Sequence, residues 1–171
     1  VIRFFRRPLP VASSTLVASS LPKVSILQPI LSGDPTLAEC LERNVQARSS
    51  YEREFVWLVD TDDLEGQRIC HNLIARYSKQ SIQLVVLPPP GERANPKMVK
   101  LIAGANVAHG QVLCVLDDDT VLPDDGLEQC LPFLEEAGVG LAFALPYYSN
   151  FSTLWSCLVA YFVNSNSLLT Y

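Results

Sequence analysis

Between Lys23 and about residue 145 the chain alternates short apolar runs with longer segments whose apolar residues recur every three or four positions. Val24-Ser25-Ile26-Leu27 reads as a short strand ended by Pro29, and Ser32-Gly33-Asp34-Pro35 as a turn. Asp34 is placed to cap a helix with Pro35 at its first position, and Leu37, Cys40, Leu41 and Val45 give that helix one buried stripe. Phe55-Val56-Trp57-Leu58-Val59 is a continuous apolar run of strand length, as expected of a strand covered on both faces. A second helix is predicted over Leu64 to Tyr77, with Ile69, Leu73, Ile74 and Tyr77 at helical spacing, and a third strand over Ile82 to Leu87. Pro88-Pro89-Pro90-Gly91 forces a loop, a helix from about Pro96 to Ala108 follows, and Val112 to Leu116 reads as a fourth strand. A helix over Asp125 to Glu136 and a fifth strand over Val139 to Phe143 complete the pattern.

Strands alternating with helices specify an α/β fold, an open and mainly parallel sheet covered by helices. Residues 23–150 form this core. Residues 1–22 read as a basic strip followed by a Pro-, Ser- and Ala-rich linker, and residues 151–171 as an apolar helix cut in mid-run, so the sequence reads as part of a longer chain. In open parallel sheets, ligands bind beyond the carboxyl ends of the strands. Two acidic segments lie there: Asp60 to Glu65 after the second strand, and Asp117 to Asp125 after the fourth.

Charge sharpens this picture because it is uneven. Of the 18 acidic residues, half fall in those two segments; three of the 13 basic residues, Arg3, Arg6 and Arg7, fall in the first seven positions; and the last 35 positions carry no charge. A net charge of -5 disfavours a nucleic-acid binder. The basic, aromatic start suits the cytoplasmic flank of a membrane helix, though a solvated basic terminus is the alternative, and no run reaches the roughly 18 apolar residues a membrane span needs. Five scattered Cys without a C-x-x-C pair argue against zinc and against a disulfide framework.

Asp117-Asp118-Asp119 is the most informative segment. Consecutive carboxylates after a buried strand repel one another unless a cation neutralises them, and Mg²⁺ or Mn²⁺ suits such hard oxygen ligands together with a substrate's phosphates. Of the later pair, Asp124 or Asp125 is expected to cap the next helix. The first segment, Asp60 to Asp63, offers acceptors to a nucleoside's N–H and O–H donors, or a second carboxylate for the cation, or simply a turn and a helix cap through Asp62 or Asp63. Asn95-Pro96-Lys97 opens a helix, where a lysine and the helix N-terminus both favour phosphate. Gly104 and Gly110 lack G-x-G-x-x-G spacing, and neither His71 nor His109 has a partner at metal-ligand spacing.

The order of these segments resembles the nucleotide-sugar half of a family-2-type glycosyltransferase with the GT-A fold, and within it the ceramide glucosyltransferase and hopanoid glycosyltransferase group. Val24 to Pro29, Gly33-Asp34-Pro35 and Leu145-Pro146-Tyr147 strengthen the likeness, which covers about residues 23–150. The resemblance implies a GT-A-like sheet with helices on both faces and a metal-dependent, inverting transfer of a hexose from a UDP-sugar to a membrane lipid. It further implies a membrane-associated protein whose catalytic domain is cytoplasmic. Asp60 would contact the uridine, with Asp62, Asn95, Lys97, Asp117 and Asp118 lining the donor site, and Asp119 with Asp117 would hold Mg²⁺ or Mn²⁺. The family's general-base acid and its Q-x-x-R-W motif have no counterpart here. A nucleotidyltransferase using the same carboxylates, or a non-catalytic α/β binding domain, are the alternative readings.

Overall fold

The computed structural model describes residues 21–91, 93–149 and 151–170; the basic strip and the linker up to residue 20 lie outside them. Four parallel strands, β1 (Val24–Pro29), β2 (Arg53–Asp60), β3 (Ile82–Leu87) and β4 (Val112–Val115), form one sheet in the order β3-β2-β1-β4. They alternate with helices α1 (Leu37–Gln46), α2 (Leu64–Arg76) and α3 (Pro96–Val107). Right-handed crossovers in this order put α1 and α2 on one face and α3 on the other. Accordingly α1 packs against α2, and α3 packs against β1 and β2.

The apolar run from Phe55 to Val59 is buried on every residue, which makes β2 a central strand. On the α3 face, Leu27, Val56 and Leu58 pack with Val85, Leu87, Leu101 and Val107. Gly104 lets α3 approach closely, since a Cβ there would lie 2.9 Å from Leu58 Cδ1. On the other face Trp57 Nε1 donates to Gln28 Oε1 at 3.0 Å, both side chains fully buried.

At the amino ends of the strands, Glu54 of β2 ties Ser25 of β1 to the segments that lead into β1 and β4. Its carboxylate accepts from Ser25 Oγ (2.5 Å) and the His109 amide (2.6 Å) and pairs with Lys23 (3.1 Å). Burial alone would push this carboxyl up, but the Ser25 hydroxyl, the His109 amide and the Lys23 ammonium outweigh it and hold the pKa down at about 2. The turn into β4 also requires Gly110, where a Cβ would sit 2.6 Å from the Ser25 backbone nitrogen.

Three expectations fail. Helix α1 begins at Leu37 with Thr36, not Asp34, at its N-cap, and Asp34 instead accepts from the Thr36 amide at 2.7 Å in the turn before it. The predicted helix over residues 125–136 splits into α4 (Gly126–Cys130) and a 3-10 turn (Leu131–Glu135), because Pro132 has no N–H to continue an α-helical ladder. No strand forms over Val139 to Phe143. Gly138, at φ 86°, and Gly140 weaken an extended run, and Leu141 and Phe143 remain 77% and 64% exposed rather than packed as sheet residues.

The chain divides into two units between Glu128 and Gln129. In the second, the helix α5 (Leu154–Thr170) is clipped to the segment before it by Asn164, whose side-chain amide exchanges hydrogen bonds with the backbone N–H (2.8 Å) and C=O (3.1 Å) of Tyr148. Tyr147 and Phe151 meet edge to face at 6.5 Å. Among the described residues no helix is long and apolar enough to cross a membrane.

Candidate functional site

The strand order reverses between β1 and β4, which is where an open parallel sheet leaves a crevice beyond its carboxyl ends. Three consecutive residues after β1 occupy this position, and each is held by a different element. The Ile30 carbonyl accepts from Lys100 Nζ at 2.7 Å, the Leu31 amide donates to Asp118 Oδ2 at 2.7 Å, and the Ser32 amide donates to Asp63 Oδ2 at 2.8 Å. The Ser32 hydroxyl also donates to Asp63 Oδ1.

In the first acidic segment, Asp60 ends β2 with its Oδ2 2.9 Å from Lys100 Nζ. Lys100 is only 4% exposed, and Asp60 Oδ1 is buried without a hydrogen-bond partner. Asp63 is the N-cap of α2, accepting from the Gly66 amide at 2.9 Å. Burial pushes its carboxyl up, but Ser32, the Gly66 amide and Lys100 prevail and lower it. Asp62 is exposed at the turn between them.

In the second segment, Asp117 and Asp119 are exposed while Asp118 is half-buried and turned back onto Leu31. Burial raises the Asp118 carboxyl, with the neighbouring Asp119 and Asp117 adding to the rise against the Leu31 amide. Asp117 Oδ1 accepts from Lys97 Nζ, and Asp119 Oδ1 accepts from Thr120 Oγ1 at 3.1 Å. Asn95 caps α3, its Oδ1 accepting from the Met98 amide at 3.3 Å, with Pro96 in the first turn. The segment that follows is anchored to the region of α1. Asn44 Nδ2 donates to the Thr120 carbonyl (2.8 Å), the Leu122 amide donates to Asn44 Oδ1 (2.7 Å), and Asp124 takes the Arg48 amide (2.8 Å) and Nε (3.0 Å). Asp124 thus spends its carboxylate on Arg48, and Asp125 adopts a left-handed φ of 57°, which Asp tolerates better than most residues.

Both acidic segments therefore meet α3, which sends Lys97 to Asp117 and Lys100, one turn on, to Asp60. Asp60, Lys97, Asp117 and Asp118 each bond to another segment here, Asn95 bonds within its own helix as the α3 cap, Asp119 bonds to the adjacent Thr120, and Asp62 is exposed at its turn. Among the described residues no three His, Cys, Asp or Glu side chains converge as a ready ligand cluster. The donor set still fits a hard cation, since Mg²⁺ and Mn²⁺ use one or two carboxylates and complete their shell with phosphate oxygens and water, and Asp117 and Asp119 are both exposed. Sequence reading did not single out Lys100, Ser32 or Asn44. Asn44 had a legible signal: it is a polar residue on the stripe formed by Leu37, Cys40, Leu41 and Val45.

The family described as glycosyl transferase family 21 matches residues 5–171. A mannosyltransferase from Pyrobaculum calidifontis, solved in complex with GDP-Man and Mn²⁺, matches with a TM-score of 0.64 and 19% identity, over 81% of this chain and 39% of that chain. The likeness is one of fold, and the α/β sheet with helices on both faces is thus the fold of a glycosyltransferase. The chain spans about two fifths of that structure's length.

Proposed function

Because the chain belongs to glycosyl transferase family 21, we propose that it forms the donor-binding part of an enzyme that transfers a hexose from a UDP-sugar to a membrane lipid, with inversion and with a divalent cation. The observation that carries this reading is the meeting of both acidic segments with α3 beside the β1/β4 crevice, through Lys97 and Lys100. A neighbour of the same fold solved with a nucleotide-sugar and Mn²⁺ supports it.

In this reading each side chain has a task that follows from its surroundings. Asp60 is held by Lys100 through Oδ2, which leaves Oδ1, without a hydrogen-bond partner, as the acceptor for a uracil N–H. Asp62 lies exposed beside it for a ribose hydroxyl. Asp117 and Asp119 would hold Mg²⁺ or Mn²⁺, which supplies charge neutralisation to the diphosphate as its bond to the sugar breaks. Lys97, released from Asp117, is then free to bind a phosphate oxygen, with Asn95 holding the helix end on which it sits. Asp118 keeps the strand-end backbone in place through Leu31. The acceptor oxygen forms the new bond to the anomeric carbon as UDP departs, and the acceptor's proton passes to a base that no residue of this chain is assigned to provide.

The lipid acceptor and a membrane location facing the cytoplasm rest on the basic Arg3, Arg6 and Arg7 and on α5, where Leu154, Trp155, Leu158, Val159 and Phe162 are half or more exposed. The donor assignment is tested by calorimetric titration of the full chain with UDP and Mn²⁺. Binding should require the metal and be lost in Asp119→Ala; metal-independent behaviour, or unchanged binding by that variant, in a folded sample would sink the assignment.

A further inference from the structure

Asn44 belongs to neither acidic segment, yet it fixes the end of one. Its side chain is fully buried, and both of its polar atoms are spent on backbone, donating to the Thr120 carbonyl at 2.8 Å and accepting from the Leu122 amide at 2.7 Å. Burying a primary amide is costly unless both ends are satisfied, and a leucine on the same apolar stripe of α1 would avoid that cost. What the amide provides is a fixed address for Thr120. The Thr120 amide in turn closes a turn onto the Asp117 carbonyl at 3.2 Å. The other end of the triplet is held by the Leu116 amide on the Leu27 carbonyl (3.1 Å) and by Asp118 on the Leu31 amide. Asp117, Asp118 and Asp119 are therefore strung between two anchored points, and only Asp117 and Asp119 are left exposed.

Resting on the donor-site reading above, we infer that Asn44 is a positioning residue for the cation site, holding the 117–120 turn so that Asp117 and Asp119 are presented together before metal and nucleotide arrive. It acts through backbone and touches neither. Partners of this kind, which orient ligands without ligating, change metal affinity by about 10- to 100-fold when removed.

The test is Mn²⁺-dependent UDP binding by calorimetry on the full chain, with thermal unfolding followed in parallel. Asn44→Leu should weaken the Mn²⁺-dependent binding by about 10- to 100-fold. Asn44→Asp, which keeps an acceptor for Leu122 but sets an oxygen against the Thr120 carbonyl, should weaken it too, and it stands in for Asn44→Leu if that variant does not fold. Glu128→Ala is the comparator. It removes the ties to Ser49 Oγ (2.8 Å) and Ser50 Oγ (2.9 Å) from the same outgoing segment, and should lower the unfolding temperature without changing Mn²⁺ binding. Wild-type binding in a folded Asn44→Leu chain, or equal weakening by Glu128→Ala, overturns this inference alone. A wild-type chain with no Mn²⁺-dependent binding overturns the donor-site reading as well.

Discussion

Replacing Lys100 by methionine keeps the length of the side chain and removes its charge, and the surroundings set how much that should cost. The ammonium lies 2.9 Å from Asp60 Oδ2 and 2.7 Å from the Ile30 carbonyl, with both charged side chains largely buried at 5% and 14% exposure. At an effective dielectric constant of about 20, a pair at this separation attracts by about 6 kcal/mol before desolvation is counted. Desolvation offsets much of that in the intact pair, but in Lys100→Met it does not relent for the partner left behind. Asp60 keeps its burial, Oδ1 already lacks a hydrogen bond, and the Ile30 carbonyl loses its donor. Removing one member of a buried pair costs about 3–5 kcal/mol. In a protein of this size that corresponds to a fall of roughly 6–20 °C in Tm. Urea unfolding of the full chain at pH 7, followed by far-UV circular dichroism, measures it directly. Adding Asp60→Asn to Lys100→Met should recover part of the loss, because the lone charge is gone. Lys100→Met within about 1 kcal/mol of the parent, or no recovery in the double variant, would refute the reasoning.

Other sites give independent tests. Glu54 has a folded pKa held from 4.5 down to about 2, so its contribution is present above the unfolded value and is lost as pH falls toward 2. Glu54→Gln should therefore lose about 3 kcal/mol at pH 7, with the gap to the parent closing in thermal melts taken toward pH 2. Gly110→Ala places a Cβ 2.6 Å from the Ser25 backbone nitrogen and 2.7 Å from the Lys23 carbonyl, neither of which can turn aside. A loss of about 1–3 kcal/mol in urea unfolding is expected, and an unchanged midpoint would show that the β1–β4 edge yields more easily than its geometry implies.

Much of the fold was readable because the pattern was unambiguous where burial is one-sided. Ile82–Leu87 forms the strand predicted, and Asn95-Pro96 opens α3 as a cap and first turn should. The fifth strand was not readable, because apolar composition over Val139 to Phe143 cannot show whether those side chains will be packed into a sheet. The position of the acidic segments was legible from strand ends alone. Their internal division of labour was not, since Asp117, Asp118 and Asp119 look alike in sequence and differ only because the turn closed by the Thr120 amide on the Asp117 carbonyl carries Asp118 back to the Leu31 amide and leaves the other two exposed. Lys100 was invisible for a related reason. A lysine within a helix is ordinarily solvated, and here only the packing of α3 on β1 and β2 buries it.

The pairing of β1 with β4 joins Val24 to Val112, 88 positions apart, while β1 pairs with β2 from Arg53 onward. On a ribosome adding about 5–20 residues per second, β1 and β2 can meet while β4 is still roughly 3–12 s from synthesis. Until then the β1 edge stays unpaired, and Leu31 and Ile30 await Asp118 and Lys100. The crevice is thus the last part of the sheet to come into existence, and a nascent chain halted before Val112 would present β1, β2 and β3 without the edge strand that completes it.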